Sequence, residues 1–300
     1  MQHTPKTPHA PGALMIIGGG EDRTDNKEVL ARFIALAGGP ERPLVVLTAA
    51  SKIPEDVWET YRVALHDLGA RNVRHVPIGD RADADDAAKA DIVAGASGIF
   101  MTGGDQKRLV AHIGGTAVEQ AMRDAHALRG ACIAGTSAGA SAMCTHMLAE
   151  GKVELAPEKG AVRLGAGLGF VHRVVIDQHF SQRHRIHRLL SVVAQTPFLI
   201  GAGIDEDTAL IVHGRSGIEV IGEGMVTVLD CRNARSNIAD LRAGAVPTLV
   251  GVALHLLPSG AAFAPGPGLP ADGKLPADAP PAPPELADFL DFLTDRISTS

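Results

Sequence analysis

The chain has 300 residues, with 28 Lys and Arg against 34 Asp and Glu and a formal net charge of −6 at pH 7. That length supports a sizeable buried core, as one large domain or two smaller ones, without disulfide staples. One Trp and one Tyr offer few stacking platforms, and net negative charge repels phosphate backbones, so composition argues against a nucleic-acid partner.

The three cysteines, Cys132, Cys144 and Cys231, are odd in number and show no zinc-site spacing. Cys132 and Cys144, in small-residue apolar surroundings, read as buried packing residues, and no disulfide is expected, which fits a reducing compartment. The opening "MQHTPKTPHAPG" is Pro-rich and polar, without the charged start and apolar stretch of a secretory signal. The apolar run "ALMII" is too short to span a bilayer. The expectation is a cytoplasmic protein with no membrane partner: a loose tail over residues 1–12 and one α/β domain over 13–300.

In chain order, "ALMIIGGGEDR" predicts a strand ended by a glycine turn. Residues 25–38 carry Val29, Leu30, Phe33, Ile34 and Ala37 at helical spacing. "PLVVLTAAS" predicts a strand, "EDVWETYRVALHDLGA" an amphipathic helix closed by Gly69, and "NVRHVPIG" and "GIFMTGGDQ" further strands. Residues 107–128 predict helix, interrupted at Gly114–Gly115, and "ACIAG" predicts a short strand. Strands alternating with helices predict a mostly parallel central sheet flanked by helices. In such sheets ligands bind beyond the carboxyl ends of the strands, where the turns Gly18–Arg23, Gly103–Gln106 and Gly135–Gly139 fall.

Past residue 200, "LIGAGIDEDTALIVHG", "GIEVIG" and "GMVTVLD" predict antiparallel strands on the edge of that sheet. Residues 258–285, rich in Pro, Ala and Gly, predict an irregular segment. "PELADFLDFLTDRI" predicts a last helix with Leu286, Phe289, Leu290 and Leu293 as its apolar stripe.

Within "ACIAGTSAGASAM", Gly135–Gly139 match G-x-S-x-G. Ser137 is thereby a candidate nucleophile on a sharp strand-to-helix bend, where only small neighbours fit. The following "AGASAMCTHML" can be helical, with its first N–H groups aimed at a developing oxyanion. The alternative is a Ser/Gly turn of purely structural duty. A serine nucleophile needs a base and a group to orient it. His66, His126 and His146 fall in predicted helices without chemistry beside them. His179 instead ends the strand "RVVIDQHF", next to Asp177 and Gln178. Asp205, Glu206 and Asp207 end another apolar run, and alternation sends Glu206 to one face and its neighbours to the other. Spacing also fits a solvated turn there. The order Ser, His, acid differs from the α/β-hydrolase order.

"SQRHRIHRLLSVV" predicts a helix from about Ser181, with Arg185 and Arg188 sharing a face beside the apolar stripe and Arg183 near the helix start on another flank. Three arginines in six residues suit bidentate recognition of carboxylates. The alternatives are a basic solvent face, or a metal site of His179, His184 and His187, which the guanidinium charges oppose. A further alternative for "GGGED" is a nucleotide- or anion-binding loop, though Arg23 stands where G-x-G-x-x-G needs its third glycine.

Taken together, "IIGGGEDR", "MTGGDQ", "GTSAGASAM", "DQHFSQRHRIHRL" and "GIDEDTAL", over roughly residues 13–230, closely resemble the serine peptidase family of the cyanophycinases and aspartyl dipeptidases. The "DQHF…R.R..RL" stretch is more similar to the former. The resemblance implies a flavodoxin-like or class I glutamine-amidotransferase-like α/β fold, a homodimer, and no cofactor or metal. It implies cyanophycin, a poly-aspartate chain bearing arginine on every side-chain carboxyl, as substrate and the β-Asp-Arg dipeptide as product. By motif it implies Ser137 as nucleophile, His179 as base and Glu206 as orienting acid, with Asp177 the competing candidate for that last role. It implies Gly103, Gly104 and Ala138 around the oxyanion, and Gln106, Asp177, Gln178, Arg183, Arg185 and Arg188 around the substrate.

Overall fold

The structure, a computed structural model, describes residues 10–152, 154–265, 275–276 and 278–294. Most of the expected tail, and residues 266–274 and 277 of the expected irregular segment, lie outside the described residues.

The chain opens with β1 (Leu14–Ile17), α1 (Glu28–Leu36), β2 (Leu44–Leu47), α2 (Pro54–Asp67) and β3 (Val73–Val76). Next come α3 (Arg81–Ala84), α4 (Ala87–Ala94), β4 (Gly98–Met101), α5 (Gln106–Ile113), α6 (Ala117–Arg129) and β5 (Cys132–Thr136). Beyond the serine bend lie α7 (Ala138–Ala142), β6 (His146–Gly151), β7 (Val162–Ala166), β8 (Val174–Gln178) and α8 (Ile186–Gln195). The remainder is β9 (Ile200–Ile204), β10 (Thr208–Val212), β11 (Ile218–Gly222), β12 (Met225–Asp230), β13 (Arg235–Ser236), β14 (Leu249–Val250), β15 (Ala253–Pro258), β16 (Ala262–Phe263) and α9 (Pro284–Thr294).

The largest sheet has eight strands in the order β16-β11-β10-β1-β5-β4-β2-β3. The five from β3 to β1 run parallel, and β10, β11 and β16 add an antiparallel edge. Four of these, β1, β2, β4 and β5, are buried on both faces, which is why they read as unbroken apolar runs. Side chains alternate between the two layers. Met15, Ile17, Cys132 and Ala134 face α1 and α2, where Phe33 and Tyr61 pack on Phe100 with ring centroids 5.3 and 5.0 Å away. Leu14, Ile16 and Ile133 face the opposite layer with Leu109, Met122 and the α9 stripe Leu286, Phe289, Leu290 and Leu293. Cys132, Cys144 and Cys231 are buried and unpaired. Burial pushes the thiols of Cys132 and Cys144 up to about 12, which leaves them unreactive at neutral pH.

Three expectations need correction. The C-terminal strands do not all join the edge of the large sheet: β9 and β12 form a second sheet, ordered β15-β12-β9-β8, which also holds β8. The chain crosses from the second sheet to the first at Asp205–Asp207, between β9 and β10. The helix after Ser137 stops at Ala142, because Cys144 pairs with Val171 and the Ala142 carbonyl accepts from Leu168 (2.7 Å); His146 is therefore on a strand. The arginine helix starts at Ile186 rather than near Ser181. The Ser181 N–H is taken by the Asp205 carboxylate (3.0 Å) and His184 adopts φ 50°, so residues 181–185 form turns.

Candidate active site

Register brings the site together. Thr136, the last residue of β5, pairs with Ile17 at the end of β1, so Ser137 and Gly18 leave the sheet side by side. Gln178, the last residue of β8, pairs with Ile204 at the end of β9, so His179 and Asp205 leave the second sheet side by side. The glycine loop after β1 stitches these exits together. Carbonyls of three consecutive residues, Ile17, Gly18 and Gly19, accept the backbone N–H groups of Ser137 (3.0 Å), His179 (2.7 Å) and Asp207 (2.9 Å).

Ser137 has φ 52° and ψ −111°, a strained conformation for a residue with a Cβ. The bend closes only because its neighbours are small. A Cβ on Gly135 would lie 2.5 Å from the Gly139 carbonyl oxygen, and one on Gly139 would run into the Met101 carbonyl. His179 is also left-handed, with φ 48°. Its Nε2 lies 2.9 Å from Ser137 Oγ, and its Nδ1 lies 2.5 Å from Glu206 Oε1. The imidazole thus stands between hydroxyl and carboxylate, the geometry of a hydroxyl activated by an oriented base. Burial in the cleft lowers the His179 pKa from 6.5; Arg183 and Arg185 push the same way, and Glu206 opposes them. The ring is therefore neutral at pH 7 and free to accept a proton.

The alternative acid, Asp177, is engaged elsewhere. Its side chain is 1% exposed and accepts from Arg188 Nε (2.9 Å), Arg188 Nη2 and Arg185 Nη1 (3.4 Å). Arg185 also donates to the Gln178 carbonyl and to Gln178 Oε1 (3.0 Å), and burial pushes its pKa down to about 10. Arg183 is exposed. These residues wall a pocket of about 510 Å³ that opens at Ser137. Gly103, on the far side, comes close enough that a Cβ there would lie 3.8 Å from Ser137 Oγ. Among the described residues, no acceptor takes the N–H groups of Gly103, Gly104 or Ala138. Gln106 lines the pocket, but its amide nitrogen donates to the carbonyls of Leu148 (3.1 Å) and Ala149 (3.2 Å). It braces the strand opposite rather than reaching the oxyanion.

Asp205 and Asp207 serve the backbone. Asp205 accepts from Ser181 and Met225, and Asp207 accepts from Asp22 (2.9 Å). The three histidines of the metal alternative are not brought together as a cluster. His187 Nδ1 pairs with the Glu154 carbonyl (3.2 Å), His184 is exposed, and no cluster of three His, Cys, Asp or Glu able to hold a metal ion occurs among the described residues. The nucleotide-loop alternative fails because the space is filled. A Cβ on Gly19 would lie 2.5 Å from His179 Nε2, and one on Gly20 would lie 3.1 Å from the Glu206 carboxylate.

Sequence reasoning missed this use of the glycines, although the run "GGG" was its signal. It also missed Glu21, which is buried and accepts from Tyr61 Oη and from Thr136 Oγ1 (2.6 Å), beside the serine bend. Gln182 Oε1, which accepts the Glu206 N–H (3.0 Å), carried no sequence signal. Gly19→Ala tests the glycine packing. With φ +95° and no room for a methyl, the variant displaces the imidazole and lowers kcat by about 100-fold or more. Steady-state kinetics beside a thermal melt would check this, and near-normal kcat would refute it.

The chain is similar to known proteins over most of its length. Residues 14–220 match the model of peptidase family S51. A cyanophycinase of Geminocystis herdmanii is 37% identical over 218 residues, 73% of this chain and 80% of the relative. A cyanophycinase of Trichormus variabilis is 34% identical over 262 residues, 86% of this chain and 87% of the relative. Among solved structures, a peptidase from an acI-B1 Actinobacterium superposes with a TM-score of 0.64 at 23% identity, covering 86% of this chain and 98% of that one. At that identity the last likeness speaks to the fold.

Proposed function

The chain belongs to peptidase family S51, and from that premise we propose that it is a serine-type cyanophycinase releasing β-Asp-Arg dipeptides. The observation that carries the reading is the file Ser137–His179–Glu206, with gaps of 2.9 and 2.5 Å, at the mouth of a pocket walled by Asp177 and three arginines.

His179 Nε2 takes the Ser137 proton as Oγ attacks an aspartyl backbone carbonyl. Glu206 keeps Nδ1 protonated and steadies the imidazolium. Backbone N–H groups of Ala138 and the Gly103–Gly104 turn receive the oxyanion, one such donor being worth roughly 2.7–4 kcal/mol. The imidazolium then protonates the leaving amine. Water, deprotonated by the same ring, hydrolyses the acyl-enzyme and restores the serine. Each unit of the substrate carries a carboxylate and a guanidinium, and the pocket mixes the same charges. The reading includes a homodimer, and cytoplasmic location, supported by three buried free thiols. No helix among the described residues is long and apolar enough to cross a membrane.

Purified protein incubated with cyanophycin, and separately with Asp-X dipeptides, tests the reading. It expects β-Asp-Arg from the polymer and no turnover of the dipeptides; the reverse outcome makes the chain an aspartyl dipeptidase. The base must be unprotonated and its pKa is lowered. Activity is then lost only as pH falls through a value below 6.5, so the acid limb of kcat/KM lies under that value.

A further inference from the structure

The pocket wall contains two acidic side chains among the described residues, Asp177 and Glu150. Asp177 is 1% exposed and both its oxygens are taken by Arg185 and Arg188, so it has nothing left for a ligand. Glu150 is 50% exposed, and its one ion pair among the described residues is with Lys107 Nζ at 2.5 Å, itself 50% exposed. Its position is built rather than incidental. The β6–β7 pairing slips between Leu148 and Glu150, leaving Ala149 as an extra residue in a bulge. A bulge re-aims the side chains beyond it. Here the Leu148 and Ala149 carbonyls are held by Gln106, and the Gly151 carbonyl by Arg188 Nη1 (3.2 Å). The first two residues of α5 thus divide the work: Gln106 clamps the bulge, and Lys107 neutralises the carboxylate that the bulge presents. Arg163 of β7 is the other cation acting on Glu150.

We propose that Glu150 is the specificity-determining residue for the guanidinium of the substrate, with Lys107 as the internal cation that the guanidinium displaces and Gln106 as the positioning residue. The assignment rests on the peptidase reading above. A half-exposed ammonium–carboxylate pair is held weakly, and a guanidinium engages a carboxylate with two parallel N–H donors that an ammonium lacks. Arg183, exposed on the same wall, is left for a substrate carboxylate.

The test compares two short synthetic chains of β-linked Asp-Arg and Asp-citrulline units, citrulline being the neutral isostere. Wild-type enzyme prefers the arginine chain by roughly tenfold or more in kcat/KM. Glu150→Gln brings that ratio towards one, with the loss in KM rather than kcat. The ratio does not depend on how much enzyme is folded. Lys107→Met removes the competitor and lowers KM for the arginine chain alone. An undiminished arginine preference in Glu150→Gln, or equal effects of Lys107→Met on both chains, overturns the proposal while the peptidase reading stands. If wild-type enzyme cleaves neither these chains nor cyanophycin, the peptidase reading falls and takes the proposal with it.

Discussion

Ser137→Ala lowers dipeptide release from cyanophycin by about 10⁴-fold or more while the melting temperature stays near that of the wild type. The size follows from what the hydroxyl does. Without Oγ no acyl-enzyme forms, and His179 and Glu206 have no proton to move, so the three groups fail as a unit. Stability is spared because the substitution removes one oxygen from a half-buried site and leaves the bend intact. Ala tolerates φ 52° no better than Ser, but the strain is carried by backbone bonds to Ile17 and by Gly135 and Gly139, which do not change. Covalent labelling by a serine-reactive phosphonate gives an independent readout. Wild-type protein is labelled at Ser137 and the variant is not. A variant that kept measurable turnover would move the nucleophile elsewhere.

Asp177→Asn and Glu206→Gln separate two carboxylates that sequence spacing could not rank. Asp177 is the sole counter-charge in hydrogen-bond contact with the buried guanidiniums of Arg185 and Arg188 among the described residues. Neutralising it leaves both cations uncompensated, and removing one partner of a buried ion pair costs roughly 3–5 kcal/mol. The expected result is a large drop in the urea midpoint, together with loss of activity as the pocket wall rearranges. Glu206 is 38% exposed and bonds to the imidazole. Its replacement leaves the midpoint nearly unchanged and lowers kcat by several hundredfold or more, because Nδ1 loses the acceptor that fixes its tautomer. If Asp177→Asn unfolds at the wild-type midpoint, the ion cluster is not structural. If Glu206→Gln retains full kcat, the orienting acid is another group.

The mutants also mark the limit of sequence reasoning here. Strands buried on both faces betray themselves as apolar runs, so β1, β2, β4 and β5 and their glycine turns were readable directly. The elbow was readable because steric crowding permits only small residues around Ser137. The α9 stripe was readable from its 3.6-residue period. At Asp205–Asp207 the expected strand alternation does not apply: Glu206 and Asp207 form a turn, with Asp207 at φ 44°, and that turn brings the Glu206 carboxylate to His179.

What local pattern could not supply is anything settled by a partner distant in the chain. Whether β8 and β9 join the large sheet depends on which strand edges meet. The start of α8 depends on Asp205 capturing the Ser181 N–H, 24 residues away. The silence of Asp177 towards His179 depends on two guanidiniums from a later turn and helix. Composition and motif thus determined the layered α/β architecture and the chemical inventory, because each residue's conformational preference and polarity act at short range. Only the folded chain decided that three exits would hang from successive carbonyls of one glycine loop, and so which acid faces the imidazole, because hydrogen bonds and ion pairs select partners by distance in space.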